Sequence, residues 1–282
     1  MTHFACDLCG ENAPIEIEVC RQYTGGQPIH VCSNCGLVYV TERRSSEEVA
    51  QSWSEIYADK RYDPAWPAVE ARLTYVAEFM AQRMELFGKR IIDIGCGDGR
   101  LLNKTIKYGT SARLGLEPTV ETDWAVRGQS KILRLSAEAA AAKVDSGRIS
   151  PADIVLLTWT LENCAEPRKV LEAAYKLTKP GGHIVVATGS RIGVPFKKRL
   201  SQYLSTNAAD THPTRWSAQT LAAMLSATGF SPVTCNAYED SDWLVLIGER
   251  FEGPRQEFVR NAGGDDPADV QRHFLNWHLM WP

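Results

Sequence analysis

The 282-residue sequence lacks a secretory leader: Met1-Thr2-His3-Phe4-Ala5-Cys6-Asp7 has neither a basic start nor an apolar stretch of about 7–15 residues. It also lacks any apolar run near the roughly 20 residues needed to cross a bilayer. Excess charge is small, since 31 Lys plus Arg against 34 Asp plus Glu leave a net charge of −3. That balance removes the general attraction that polyanions and anionic membranes exert on basic proteins. Internal repeats and low-complexity tracts are missing as well. These absences predict a cytoplasmic chain with no membrane partner and no general affinity for nucleic acid.

What is present is an ordinary globular composition, 44% hydrophobic and 23% charged, long enough for one full domain and a smaller one. In a reducing compartment the eight cysteines read as metal ligands or buried small hydrophobes rather than disulfides. Four form two pairs, Cys6-x2-Cys9 and Cys32-x2-Cys35, with 22 residues between them. Two intervening residues let a tight turn aim both sulfurs at one ion, and Gly10 and Gly36 supply the permissive backbone after each pair. The spacing predicts a four-thiolate structural zinc in a ribbon of about 40 residues. Iron suits the same sulfurs, and four unligated buried cysteines are the plain alternative. His3 and His30 stand nearby but are not needed as ligands. Cys20, Cys96, Cys164 and Cys235 have no second spaced partner and read as packing residues.

The pattern divides the chain into a ribbon (1–42), a helical bridge (43–88), an α/β domain (89–250) and a C-terminal tail (251–282). In the bridge, Ser45-Ser46-Glu47-Glu48 resembles a helix start, and Val69, Leu73, Val76, Phe79 and Met80 share one apolar face. Trp53, Tyr57, Tyr62 and Trp66 are core contacts or a lid. After Gly88, short apolar strands alternate with amphipathic helices, which predicts helices on both faces of a mostly parallel sheet. Strands are expected at Arg90–Ile94, Ala112–Leu116, Lys131–Leu135, Asp153–Thr158 and His183–Ala187, and a closing hairpin at Ser231–Tyr238 and Trp243–Gly248. Helices are expected at Arg100–Tyr108, Pro167–Thr178 and Ser217–Thr228. An insertion over 191–214 reads as a substrate lid or as a solvated basic face carrying Arg191, Lys197, Lys198 and Arg199. The tail, with Val270, Phe274, Trp277 and Leu279, fits a docked helix or a dimer contact, so the chain is expected as a monomer or homodimer.

Asp93-Ile94-Gly95-Cys96-Gly97-Asp98-Gly99 falls where the first strand turns into the first helix, a place for close approach of a ligand to backbone. Glu117 ends the second strand, where a carboxylate accepts hydrogen bonds from ribose hydroxyls. The pyrophosphate pattern G-x-G-x-x-G is absent.

Residues 92–99 together with Leu116-Glu117-Pro118 resemble the first two motifs of class I S-adenosylmethionine-dependent methyltransferases. The resemblance implies a Rossmann-like seven-stranded sheet preceded by the zinc ribbon. It implies S-adenosylmethionine held by Asp93, Gly95, Cys96, Gly97, Gly99, Glu117, Pro118, Ala137, Glu138, Thr158 and Trp159. The leader, His30-Val31-Cys32-Ser33-Asn34-Cys35-Gly36 with Arg43-Arg44 following, looks like that of a subgroup associated with sugar and polysaccharide biosynthesis. In that subgroup the loop after the fourth strand often reads His-x-Leu-Glu-His. Here it reads Trp159-Thr160-Leu161-Glu162-Asn163, which leaves Glu162 and Asn163 in place of a loop histidine. His212, in the loop before the Ser217–Thr228 helix, is then the candidate base, with Glu162 and Asn163 as further catalytic candidates. The expected acceptor is a small molecule, with an anionic, nucleotide-linked sugar foremost. RNA methylation through the ribbon and a cofactor-binding scaffold without chemistry are the alternatives.

Overall fold

The computed structural model describes residues 2–58, 66–119, 130–204, 212–236, 243–253 and 264–281. Short strands open the chain: β1 (Thr2–His3), β2 (Pro14–Glu16), β3 (His30–Cys32), β4 (Val38–Tyr39) and β5 (Glu42–Arg43). β2, β3 and β4 form an antiparallel meander around the cysteine pairs, and β1 pairs with β5. Helix α1 (Ser46–Ala58) starts where expected, because Ser45 and Glu48 cap each other: the Glu48 amide donates to Ser45 Oγ at 3.2 Å and the Ser45 amide to Glu48 Oε2 at 2.8 Å. Helix α2 (Trp66–Arg83) follows.

The remaining elements are β6 (Arg90–Ile94), α3 (Arg100–Thr105), β7 (Ala112–Leu116), β8 (Lys131–Leu133), α4 (Ala137–Asp145), β9 (Ala152–Thr158), α5 (Pro167–Leu177), β10 (Thr178–Gly189), α6 (Leu200–Tyr203), β11 (Thr214–Arg215), α7 (Ala218–Ala227), β12 (Phe230–Cys235), β13 (Trp243–Arg250) and α8 (Pro267–Met280). Seven of the strands form one sheet in the order β12-β13-β10-β9-β6-β7-β8, and β13 runs antiparallel to both its neighbours. This is the α/β fold expected, with helices on both faces. Along β6, Ile91 packs with Val69, Leu73, Val76 and Met80 of α2, while Ile92 faces Ala140, Leu171 and Leu221 on the other side, as a two-residue period requires.

Several boundaries differ from expectation for local reasons. Helix α3 stops at Thr105 and tightens into a 3-10 turn over Ile106–Tyr108, which Gly109 ends at φ 76°. β8 ends at Leu133, and β10 begins at Thr178 with an irregularity before His183. Tyr62, the Glu239–Asp242 turn and Thr211 lie outside the described residues.

The sharpest difference concerns the ribbon. Its meander gains a fourth strand, β11, which straddles the end of the segment read as a lid insertion, in the order β11-β4-β3-β2. The tail also joins it, since Val270, Phe274 and Trp277 of α8 are buried with Ile17, Ile29 and Val31. Ribbon, insertion and tail therefore share one core, while Cys6, Leu8, Cys32, Cys35, Leu37 and Tyr39 join the core of the large sheet. No helix among the described residues is long and apolar enough to cross a membrane.

Candidate active site

At the carboxyl ends of β6, β7 and β9 lies a cavity of about 230 Å³, where an open parallel sheet places its ligands. Gly95, Gly97 and Gly99 all take positive φ, at 70°, 53° and 77°. At Gly95 an added Cβ would lie 2.4 Å from Thr160 Oγ1, so both conformation and space demand glycine. The loop is tied to the second strand by the Gly95 amide, which donates to the Leu116 carbonyl at 2.8 Å.

Glu117 is 6% exposed and accepts from the Gly97 amide at 2.9 Å and the Thr119 amide at 3.1 Å. Burial raises its carboxyl above the usual range. Asp93 is buried too, with Oδ1 unpartnered, and burial followed by the Glu117 charge pushes its carboxyl well up. Such acceptors on a cavity wall call for a ligand that donates hydrogen bonds. Of the residues expected to hold the cofactor, Asp93, Gly95, Cys96, Gly97, Glu117, Pro118, Ala137, Glu138, Thr158 and Trp159 all line the cavity. Gly99 does not, and instead starts α3.

The part of the cavity wall after β9 is built from Trp159, Asn163, Cys164 and Ala165, and Trp53 of α1 and Arg72 of α2 line the cavity too. Trp159 is the one non-glycine residue with positive φ among the described residues, at 53°. Its amide donates to the Ala187 carbonyl at 2.7 Å, and the Arg72 guanidinium sits 4.3 Å from its ring centroid. Backbone strain of this kind persists where surroundings enforce it, commonly at functional sites.

The three catalytic candidates separate. Asn163 reaches the wall, donating from Nδ2 to the Trp159 carbonyl at 2.9 Å and meeting His212 Nδ1 with Oδ1 at 2.7 Å. These bonds assign the His212 proton to Nδ1 and leave Nε2 its lone pair. His212 stands behind Asn163 rather than on the wall, and burial, aided by Arg215, pushes its imidazole down to about 3. Glu162 turns away from the cavity and is buried, and burial pushes its carboxyl up to about 7.

The lid cations do not reach the cavity either. Lys197, Lys198 and Arg199 are exposed, whereas Arg191 is buried in an ion pair with Asp265. Arg72 and Trp53 are among the wall residues that sequence reasoning gave no firm role. Trp53 was readable as a lid aromatic, but nothing in the pattern of α2 marks Arg72, which adjoins the apolar face carrying Val69 and Leu73. Cys164, read as packing, also lines the cavity.

The thiols of Cys6, Cys9, Cys32 and Cys35 lie within 4.8 Å of one another. Cys6 Sγ is 3.5 Å from Cys35 Sγ, and Cys9 Sγ is 3.4 Å from Cys32 Sγ, far beyond a disulfide bond. Tetrahedral ligands about 2.3 Å from a zinc ion would be spaced by roughly 3.8 Å, so the donor set fits. The Cys6 and Cys35 thiols are pushed up chiefly by the neighbouring Cys32 sulfur, which a shared cation would relieve.

Residues 70–235, more than half of the chain, match the family described as Methyltransferase domain. The chain belongs to the methyltransferase-domain family. A ubiquinone biosynthesis O-methyltransferase of Vibrio cholerae is 29% identical over 154 residues, 53% of this chain and 60% of that protein. One from Pectobacterium carotovorum is 30% identical over 156 residues, 51% of this chain and 59% of that protein. The chain thus spans about three fifths of the length of these curated relatives. Among solved structures, a Burkholderia thailandensis 1,6-didemethyltoxoflavin-N1-methyltransferase with bound S-adenosylhomocysteine has a TM-score of 0.55 at 13% identity, covering 77% of this chain and 96% of that one. Magnesium protoporphyrin IX methyltransferase of Synechocystis, also with S-adenosylhomocysteine, has a TM-score of 0.54 at 12% identity, covering 73% and 100%. At that identity the likeness concerns the fold. None of these relatives carries a name from sugar metabolism, so the expected sugar subgroup finds no support among them. The expectation of a methyltransferase is met at the level of the family.

Proposed function

We propose that this methyltransferase-family chain moves the methyl group of S-adenosylmethionine to an acidic hydroxyl of a small-molecule acceptor. The observation that carries the reading is one cavity lined both by the glycine loop with Glu117 and by the Trp159–Asn163 turn, whose Thr160 hydroxyl donates to the Gly95 carbonyl at 3.4 Å. When bound, S-adenosylmethionine supplies an activated methyl on a sulfonium, which leaves the protein mainly the work of alignment. Glu117 holds the ribose hydroxyls, the loop from Asp93 to Gly97 accommodates the methionine part, and Ala137 and Glu138 border the adenine. Trp53 and Trp159 exclude water over the reacting end. Asn163 borders the acceptor and is held from behind by the Nδ1–H of His212, and an already acidic acceptor hydroxyl enters the site having given its proton to solvent.

An imidazole pushed down to about 3 is neutral at physiological pH but weakly basic. A site whose nearest imidazole is weakly basic and already protonated toward Asn163 suits an acceptor whose hydroxyl is itself acidic, such as a phenol or enol. The O-methyltransferase names of the relatives agree with a hydroxyl target. A nucleotide-linked sugar, whose hydroxyls are far less acidic, rests on the leader resemblance alone. The four ribbon thiols hold one structural zinc: with four sulfur donors, no position is left for an activated water.

The test is incubation of the purified chain with methyl-labelled S-adenosylmethionine and a cell extract separated into small-molecule, RNA and protein fractions, with a panel of phenols in parallel. The expected result is label in the small-molecule fraction and on phenols, absent in an Asp93→Ala, Glu117→Ala control. Label confined to RNA or protein, or no transfer at all, overturns the reading.

A further inference from the structure

The ribbon's cysteine pairs are bonded to the acceptor end of the cavity through two arginines. Arg43, 3% exposed, donates to Asp7 Oδ2 at 2.7 Å and to the Ala165 carbonyl at 2.6 Å. Arg168, in the first turn of α5, donates to the carbonyls of Asp7 and Leu8 at 2.7 and 2.5 Å. Asp7 and Leu8 are the two residues between Cys6 and Cys9, so the first knuckle is bonded to the chain just after Asn163, at Ala165 and Arg168.

The second knuckle serves the other segment. β4, just after Cys35, pairs with β11, and the Val40 amide donates to the Pro213 carbonyl at 2.9 Å, next to His212. Arg215 returns a bond to the His212 carbonyl at 2.8 Å. The Asp265 amide donates to the Cys35 carbonyl at 3.0 Å, while the Asp265 carboxylate accepts from Ser217 Oγ at 2.6 Å. Among the described residues, no hydrogen bond joins the ribbon directly to the glycine loop or to Glu117; the one link runs through the turn, where Thr160 Oγ1 donates to the Gly95 carbonyl at 3.4 Å.

We infer that Arg43 and Arg168 are positioning residues that carry the geometry of the closed cysteine knuckles to the Asn163–His212 pair, so that the ribbon shapes the acceptor side and leaves the cofactor side alone. This rests on the reading of Asn163 and His212 as the acceptor end. A metal-closed knuckle contributes folding free energy that an open loop of thiols lacks, and here hydrogen bonds link that energy to β11 and the 163–168 turn. Arginine suits the task because one planar fork reaches two acceptors at once.

The test is hydrogen exchange on the full, zinc-loaded chain, repeated after zinc removal by a chelator and on zinc-loaded Arg43→Met and Arg168→Met, with S-adenosylhomocysteine affinity measured by calorimetry on each. Arg168 is only partly buried, so its variant folds even if Arg43→Met does not. The expected result is a tenfold or greater loss of amide protection at 163–168 and 212–217 in all three, with the glycine loop and the S-adenosylhomocysteine Kd within twofold of wild type. A nitrogen-15 histidine spectrum should show the fixed Nδ1–H form of His212 averaging away in the variants, which a general loss of stability would not single out. Unchanged protection in both segments, or an equal loss in the glycine loop with a tenfold weaker Kd, overturns the inference. If wild type fails to bind S-adenosylhomocysteine, the functional reading falls, while the exchange pattern still decides the coupling.

Discussion

Glu162 shows at the residue scale how burial sets chemistry. Its carboxyl is 7% exposed and pushed from 4.5 to about 7, with Oε2 unpartnered. Between those values the folded chain keeps a proton that the unfolded chain has lost, so folding stability is full below about 4.5 and declines as pH rises through 7. The cost at the alkaline end is about 3 kcal/mol by the usual conversion. Glu162→Gln should flatten that decline, so urea midpoints of wild type and variant should diverge as pH rises from about 5 to about 8, the variant being the more stable. Parallel profiles would show that Glu162 does not titrate in this range. His212 has the opposite sign, because its depressed value costs stability as pH falls from 6.5 toward 3. Neither shift was legible in the sequence. Glu162 read as a catalytic candidate because its place in the loop matched a pattern, whereas its direction depends on the turn that Trp159 enters at positive φ.

At the scale of elements, sequence reading worked best where a continuous apolar run meets a buried sheet. Arg90–Ile94 and Ala112–Leu116 have the boundaries expected of them, because Ile91, Ile92, Leu114 and Leu116 leave little choice of partner surface. β11 was illegible for the opposite reason. Thr214 and Arg215 have no pattern of their own, and become a strand only because β4 offers an open edge. Helix α8 was left between docking and dimerisation, since Val270, Phe274 and Trp277 fit either; the fold uses them to cover the ribbon. Phe274→Ala should therefore lower stability by about 3–5 kcal/mol in denaturant unfolding, whereas Leu279→Ala, at 63% exposure, should change it by no more than about 0.5 kcal/mol. Equal effects would mean that α8 is not anchored by its inner face.

For the whole molecule, the division into ribbon, bridge, sheet domain and tail was readable as composition but not as architecture. Spacing identified the four cysteines and the glycine loop, since both chemistries depend on residues close in sequence. It did not reveal that Asp7 and Asp265, far apart in the chain, tie the two cysteine knuckles to the segments that carry Ala165 and His212. Such contacts are set by tertiary packing, and no local period records them. The central claim is that this cavity holds S-adenosylmethionine with Glu117 as the ribose acceptor. Isothermal titration of S-adenosylhomocysteine into the purified zinc-loaded chain, then into Glu117→Ala, tests it most directly. The account predicts one site per chain in the wild type and at least tenfold weaker binding in the variant; no binding to wild type, or equal affinity in both, would contradict it.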